Sequence, residues 1–351
     1  MDRPLISFIV ATYNQEAFVR EAVEGALAQT YSPLEIIISD DCSRDRTVEV
    51  AQQVIANYKG PHQVRINRNP TNLGIGGHVN RLMEICKGEL IVTSAGDDIS
   101  LPERTETIFQ AWEASGRRAT SIFSSYMTIS ATGEELGLGG TRGDPADPTL
   151  YRPQQGDLFN FVEKIWPVVV GCTHAWSPKL FDFFGPLIGD LEDQELSFRT
   201  LAIGELLYVH RPLIKYRRHG DNVSFFAGWD DTQSFEHREK RLRWTDEKST
   251  GAFANIVRDI ETLCSKGRIT AAERDRLKTE AERVAMHFTL ERDMMDGGIC
   301  ERVGKLIKAA RNGHVRCAVR MLPRALPRPV YRELFFLREK WRKLTRTSRR
   351  R

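Results

Sequence analysis

The stretch Glu89-Leu90-Ile91-Val92-Thr93-Ser94-Ala95-Gly96-Asp97-Asp98 decides how this chain is read. Its first half, centred on Leu90-Ile91-Val92, has the length and apolar character of a buried strand. Beyond it, Leu101-Pro102-Glu103-Arg104 reads as the first turn of a helix. Asp97 and Asp98 therefore stand at the carboxyl end of a strand, which is where ligands bind in an open α/β sheet. Adjacent carboxylates repel unless something positive neutralises them. Hard oxygen donors suit Mg2+ or Mn2+, and Mg2+ is typically held by one or two carboxylates together with substrate phosphates. An Asp near a helix start is also favourable as a cap, so the pair alone leaves both readings open.

Outward toward the N-terminus, Leu5 to Val10 and Leu34 to Ser39 are further apolar strand runs. Helical patterns over 15–30, 48–58 and 78–87 separate them, and Val64-Arg65-Ile66 makes a third strand. Strand and helix alternating through short connections predict a parallel sheet wound by right-handed crossovers. Downstream, 101–114 is a helix and Thr120 to Ser125 a strand that Met127 to Ile129 continues or flanks. The Gly- and Pro-rich run 136–153 is a long polar loop, of the kind that tends to carry function or motion. Short helices follow at 159–165, 178–184 and 194–202, with a strand over Glu205 to Tyr208. From about 232 the pattern turns to charged helices at 235–249, 252–266 and 270–294. Basic amphipathic segments follow at 299–311, 314–322 and 330–344. The organisation expected is an α/β unit over 1–225 and a helical, basic region over 226–351.

Composition sets outer limits. Of the 351 residues 41% are hydrophobic and 28% charged, which suits a globular chain. No run approaches the roughly 20 apolar residues that a membrane-spanning helix needs. Met1-Asp2-Arg3-Pro4 leads directly into a strand, unlike a signal peptide. Six cysteines without CxxC or Cys/His zinc spacing read as reduced thiols of a cytosolic protein. The net charge of +4 is unevenly shared. Residues 301–351 hold 17 Lys and Arg against 3 Glu, or +14, leaving −10 on the other 300. Basic residues interleaved with Phe, Leu and Trp suit an anionic membrane surface, the reading preferred here. Nucleic-acid phosphates, an oligomerisation element and a plain solvated face are the alternatives.

Three acidic doublets share one placement at strand ends or loop-to-helix entries: Asp40-Asp41, Asp97-Asp98 and Glu192-Asp193. One convergent site explains them more economically than three separate caps. Asp45, one turn into a helix entry, is read as a cap. GIGG at 74–77 is an incomplete and misplaced dinucleotide fingerprint, and Asn72-Leu73-Gly74 reads as a loop with left-handed glycines. His174 reads as a packed or acceptor-side histidine, since no partner has metal spacing. Arg217-Arg218 either clamps phosphate or is solvated.

The motifs VATYN (10–14), DDCSRDRT (40–47), NLGIGG (72–77), SAGDD (94–98), ED (192–193) and YRRHGDNVS (216–224) occur in one order and spacing. Together they resemble the inverting glycosyltransferases of family 2, which have the GT-A fold, over residues 4–225. The resemblance implies a Rossmann-like mixed sheet flanked by helices and a divalent metal, Mn2+ or Mg2+. It implies a nucleotide-sugar donor, by preference a UDP-sugar, and a hydroxyl acceptor on a glycan or lipid-linked oligosaccharide. Such a protein would serve cell-surface polysaccharide synthesis from the cytoplasmic side, peripheral to the inner membrane face. Ala11 and Tyr13 would line the nucleotide, with Tyr13 stacking on the base. Asp41 would accept from the uracil N3–H, and Asp97 would hold the ribose. Asp98 would ligate the metal, with His219 reaching the metal or the diphosphate. Asp193 would be the general base, with Glu192 as second choice. The family often has a further Asp where this chain has Ala95, so the site is one carboxylate poorer. A nucleotidyltransferase should carry a Gly-rich basic loop after the first strand, and ATYNQEAF lacks Gly, Lys and Arg. A non-catalytic donor-binding or scaffold protein would tolerate loss of Asp193, and a nucleic-acid binder would need only 301–351. No nucleic-acid partner is expected.

Overall fold

Strand β1 (Ile6–Thr12) is buried along almost all of its length, as an unbroken apolar run requires of a strand covered on both faces. The computed structural model describes residues 3–139, 158–164, 170–220, 222, 235–294, 297–327 and 329–334. After β1 come α1 (Val19–Leu27), β2 (Leu34–Asp40), α2 (Thr47–Ala56), β3 (Gln63–Arg68), α3 (Gly74–Ile85) and β4 (Leu90–Ala95). The four strands pair in parallel in the spatial order β3-β2-β1-β4, as the alternating pattern predicts. Thr12 lies level with Asp40 and Ala11 with Ala95. The acidic stretches after β2 and β4 therefore open at the same edge as Tyr13.

The second half makes the sheet mixed. It comprises β5 (Ile99–Ser100), α4 (Arg104–Ala114), β6 (Ala119–Ile129), β7 (Glu135–Gly139) and α5 (Leu158–Lys164). Then follow β8 (Ala175–Trp176), α6 (Lys179–Phe184), α7 (Glu192–Ile203) and β9 (Glu205–Arg217). β8 bridges β4 and β6 in antiparallel fashion, β9 runs parallel to β6, and the order closes as β4-β8-β6-β9-β5. β9 is far longer than the four residues its apolar run suggests. It passes through Pro212 at a register shift against β6, where the missing amide costs no ladder bond. β7 occupies the start of the stretch expected to be a loop and pairs with β6. The rest of that stretch, 140–153, lies outside the described residues.

One core lies between the sheet and α1, α2 and α4, holding Phe8, Ile36, Val92 and Trp112. On the opposite face Ile9, Ile37 and Trp176 meet Leu82 of α3, Leu180 of α6 and Leu196 of α7. α8 (Phe235–Ser265) and α9 (Ala271–Asp293) extend the packing, burying Phe253, Ile256, Ile260 and Val284 against Phe161 of α5 and Phe198 of α7. The two segments expected at 235–249 and 252–266 are one helix. Gly251 costs an exposed helix about 1 kcal/mol, and the tertiary contacts immediately after it outweigh that. α9 opens on a capping box at Thr270 and Glu273. α10 (Ile299–Arg311) and α11 (Val315–Met321) enclose a small core of Leu306, Ala309, Cys317 and Met321 against Leu290 and Met294. Of the basic segment expected at 330–344, only 330–334 are described. All six cysteines are free. Among the described residues no helix is long and apolar enough to cross a membrane.

Candidate functional site

The site is assembled where β1, β2, β4 and β9 end. Tyr13 leaves β1 with its ring 44% exposed, the most open aromatic at that edge. Partly exposed Ala11 accepts a hydrogen bond from Gly96 N–H at 2.9 Å, tying the SAGDD turn to β1. Gly96 is required there, because a Cβ would collide with Thr12 and the Gln15 side-chain oxygen.

Asp40 and Asp41 divide their work. Asp40 is buried and spends its carboxylate on the 40–43 turn, accepting from Thr12 and from the Ser43 amide and hydroxyl. Asp41 Oδ1 accepts from Asn69 Nδ2 at 2.8 Å and Leu73 N–H at 2.9 Å, and Oδ2 from Gly74 N–H at 3.1 Å. Asp41 thus satisfies the orphan amides at the start of α3. Gly74 keeps the left-handed φ of 72° expected of the Asn72-Leu73-Gly74 loop, and Gly74–Gly77 open α3, which places the helix start four residues earlier than its apolar spacing indicates. A carboxylate has about four acceptor positions, and these bonds use three of those of Asp41. Asp45 accepts from Thr47 and from Glu16 N–H, as its capping role requires.

Asp97 and Asp98 face opposite ways. Asp98 is 1% exposed, and its Oδ1 accepts from the Arg217 backbone N–H at 2.9 Å. Its Oδ2 lacks a hydrogen-bond partner of ordinary geometry among the described residues, and the Cys172 thiol faces the carboxyl. Burial first, then the charge of Asp97, pushes the Asp98 carboxyl well above its ordinary range. Asp97 keeps its side chain 12% exposed and places Oδ2 2.9 Å from His219 Nε2. Phe18 packs on the His219 ring with centroids 4.7 Å apart. Asp98, expected as a metal ligand, is buried with Oδ2 turned away from the surface. Asp97 and His219 are the two donors that meet at the surface, and Asp98 Oδ2 lies behind them.

Arg217 is neither a phosphate clamp nor solvated. It is 2% exposed and donates to the Asp97 carbonyl at 2.9 Å, to the Ala131 carbonyl at 3.0 Å and to Glu21. It clasps the SAGDD turn to the end of β9. Arg104, missed by sequence reading, is fully buried. It donates to Ser100, to the Thr93 carbonyl and to the Cys172 carbonyl. The only sequence signal for it is a cation at the start of a helix, where the dipole disfavours one. Burial drives His174 down to about 3, so it is a neutral packed imidazole, with Nε2 2.8 Å from Ser121 Oγ.

Glu192 and Asp193 begin α7, both partly exposed. Glu192 Oε1 lies against Gly171, next to Cys172, whose thiol faces Asp98. The third acidic doublet is thus joined to the second through residues 171–172. Asp193 Oδ1 accepts from Gln194 N–H at 2.8 Å. Packing around the pair raises Glu192 to about 8 and Asp193 to about 6, the backbone N–H of Gln194 holding Asp193 lower. Burial raises both carboxyls and the charge of Asp193 adds to the shift of Glu192, so the pair exchanges protons across the neutral range, with Glu192 the more strongly raised member.

Glu195, one turn further, is fully buried, with the Asn255 side chain beside it and no hydrogen bond of ordinary geometry to either oxygen among the described residues. Burial lifts it from 4.5 to about 8. Below pH 4.5 the group is neutral folded and unfolded and costs nothing. Between 4.5 and 8 only the unfolded chain gives up the proton, so stability falls as pH rises. Glu195→Gln is expected to leave stability unchanged at pH 4.5 and to raise it by a few kcal/mol at pH 8, read by thermal melts at both pH values.

Among the described residues no three His, Cys, Asp or Glu gather as a complete metal centre. Asp97 and His219 offer two donors and Asp98 Oδ2 a buried oxygen behind them. That set fits a divalent ion only with diphosphate oxygens completing its shell.

Residues 7–138 match the family model for glycosyl transferase family 2. The chain is 30% identical over 145 residues to a putative glycosyltransferase, EpsE, of Bacillus subtilis, covering 41% of this chain and 50% of that protein. It is 26% identical over 268 residues to an uncharacterized glycosyltransferase of Haemophilus influenzae, covering 75% and 78%. The chain spans about half the length of the first of these relatives and 64% of one from Rickettsia typhi. Among solved structures, a mannosyltransferase from Pyrobaculum calidifontis, in complex with GDP-Man and Mn2+, superposes with a TM-score of 0.51 at 16% identity. That match covers 95% of this chain and 84% of the other. The fold is therefore GT-A, and over residues 7–138 the chain is similar to glycosyl transferase family 2.

Proposed function

We propose that this chain transfers a sugar, with inversion, from a nucleotide-sugar donor to a hydroxyl of a glycan or lipid-linked oligosaccharide in cell-surface polysaccharide synthesis. The observation that supports the reading is the opening of Tyr13, Asp41 and the Asp97–His219 pair at one edge of the sheet, with Glu192, the neighbour of Asp193, lying against Gly171 next to Cys172 and Asp98. Tyr13 supplies an exposed π-face for the base, and the remaining acceptor of Asp41 takes a base N–H, favouring uracil and a UDP-sugar. Residues 1–225 form the catalytic unit in this reading and 226–351 a helical support.

Asp97 Oδ2 and His219 Nε2 would hold Mn2+ or Mg2+, which when bound acts as a Lewis acid on the departing diphosphate. The ribose role expected of Asp97 passes to other groups, and Ala95 offers no carboxylate for it. Arg217 and Asp98 fix the turn that carries Asp97. Asp193 takes the proton from the acceptor hydroxyl as that oxygen attacks the anomeric carbon, opposite the departing diphosphate. Glu192, the more strongly raised carboxyl beside it, holds a proton more readily and avoids a second negative charge.

A panel of UDP-, dTDP- and GDP-sugars, read by thermal shift and by nucleoside diphosphate release with and without Mn2+, tests the reading. Stabilisation and turnover are expected with a UDP-sugar and metal, and Asp97→Ala should remove the metal dependence. Failure of every nucleotide to bind in any metal would sink it.

A further inference from the structure

We infer that α10 and α11 form a docking surface for an anionic lipid bilayer. Fourteen large hydrophobic residues stand exposed among those described, and nine of them fall within 299–334. Ile299, Val303 and Ile307 are 47%, 38% and 48% exposed and recur every fourth residue along α10. Val315, Val319 and Leu322 are 54%, 58% and 53% exposed and form a second stripe along α11 and just beyond it. Residues four apart lie on one face of a helix. The stripe on α10 runs beside the buried positions Arg302, Leu306 and Ala309, so the apolar arc of the helix is only half used by its own core. Scattered apolar residues on a surface need no explanation, but contiguous ones mark a partner.

Charge identifies the partner. Lys308 and Arg311 are exposed on α10, within a segment carrying +14 over 301–351 on a body of −10. A helix with an open apolar stripe and a basic polar face lies in the plane of a bilayer interface, the apolar side entering the acyl boundary and the cations meeting anionic headgroups. A second copy of this chain would set the exposed Lys308 and Arg311 of one molecule against those of the other. The unlike charge of an anionic headgroup is what this surface lacks. The inference stands on these helices alone and holds whatever sugar the α/β unit transfers.

Full-length protein should co-float with vesicles of phosphatidylcholine and phosphatidylglycerol, bind phosphatidylcholine vesicles weakly, and lose binding as salt is raised. Val303→Asp with Ile307→Asp should weaken binding about tenfold or more while leaving the melting temperature and nucleotide binding in place. Lys308→Gln and Arg311→Gln should each weaken it about fivefold. Three outcomes overturn the proposal. One is no binding to anionic vesicles. Another is salt-sensitive binding untouched by the two Asp substitutions, which would indicate a polyanion site such as one for RNA. The third is a concentration-dependent dimer that those substitutions dissolve, which would put a second copy on the surface. Because nucleotide binding is read on the same samples, loss of the donor site and loss of the membrane surface are separately visible.

Discussion

Asp193→Asn is expected to lower kcat by about 10²–10⁴-fold, the usual worth of a general base, with little change in donor affinity. The substitution is nearly isosteric. Asp193 Oδ1 accepts one hydrogen bond from Gln194 N–H, which an Asn oxygen also accepts, so the start of α7 should hold. What is lost is the ability to take a proton. The pH profile makes the assignment specific. The packing raises Asp193 to about 6, so mild acid protonates it. The kcat/KM of the unsubstituted protein should therefore rise with pH through about 6 and flatten above it, and the residual activity of Asp193→Asn should lack that limb. Glu192→Gln supplies the contrast. Glu192 is the more strongly raised member, at about 8, so its amide isostere should change turnover only a few-fold at pH 7. Two neighbouring carboxylates whose surroundings push their pKa values apart take different roles. If Glu192→Gln proves the damaging change and Asp193→Asn the mild one, the base is Glu192.

The contrast between these residues was legible only in part before the structure. The sheet was readable because buried parallel strands announce themselves as short apolar runs between helical periods, as at 5–10, 34–39 and 90–93. Long strands with mixed faces are harder. β9 is partly exposed at its start, opens to solvent at His210 and Arg211 and is mostly buried from Leu213 on, and the polar interruption at 210–211 left only its first residues looking like a strand. The start of α3 was hidden because its amides are satisfied by Asp41, some thirty residues earlier, and local capping rules see only neighbours. The site shows the same division. Which residue types line the strand ends follows from motif order. Which carboxylate of Asp97-Asp98 turns outward depends on Arg217, whose backbone N–H draws Asp98 inward from across the fold. Arg217 was open between a phosphate clamp and a solvated cation, and Arg104 drew no reading, because arginine is mostly exposed. Their burial is decided by carbonyls and carboxylates distant in sequence.

Asp259→Ala is expected to destabilise the protein by about 3–5 kcal/mol, the cost of stranding a buried charge. Arg199 and Asp259 are both fully buried, joined by Arg199 Nε to Asp259 Oδ2 at 2.7 Å and Nη2 to Oδ1 at 3.3 Å. Arg199 also donates to the Gly185 and Pro186 carbonyls and lies over the Phe181 and Phe184 rings. The pair fastens α7, which carries Asp193, to α8 of the C-terminal region. Removing Asp259 leaves a guanidinium in the core with its carbonyl partners and Arg258 nearby, but with no counter-charge in contact. A buried pair replaced as a unit behaves differently, since two well-packed apolar residues avoid the desolvation that the charges incurred. Arg199→Met with Asp259→Leu should therefore recover most of the stability lost by Asp259→Ala in urea titrations. Activity should not follow stability in that double variant. Without the fork holding residues 185–186 and α8 to α7, the start of α7 loses its fixed position over the strand ends. Turnover is then expected to stay below that of the unsubstituted protein even where the fold is restored. Equal recovery of both would mean that the ion pair serves stability alone and that α7 is placed by its apolar contacts.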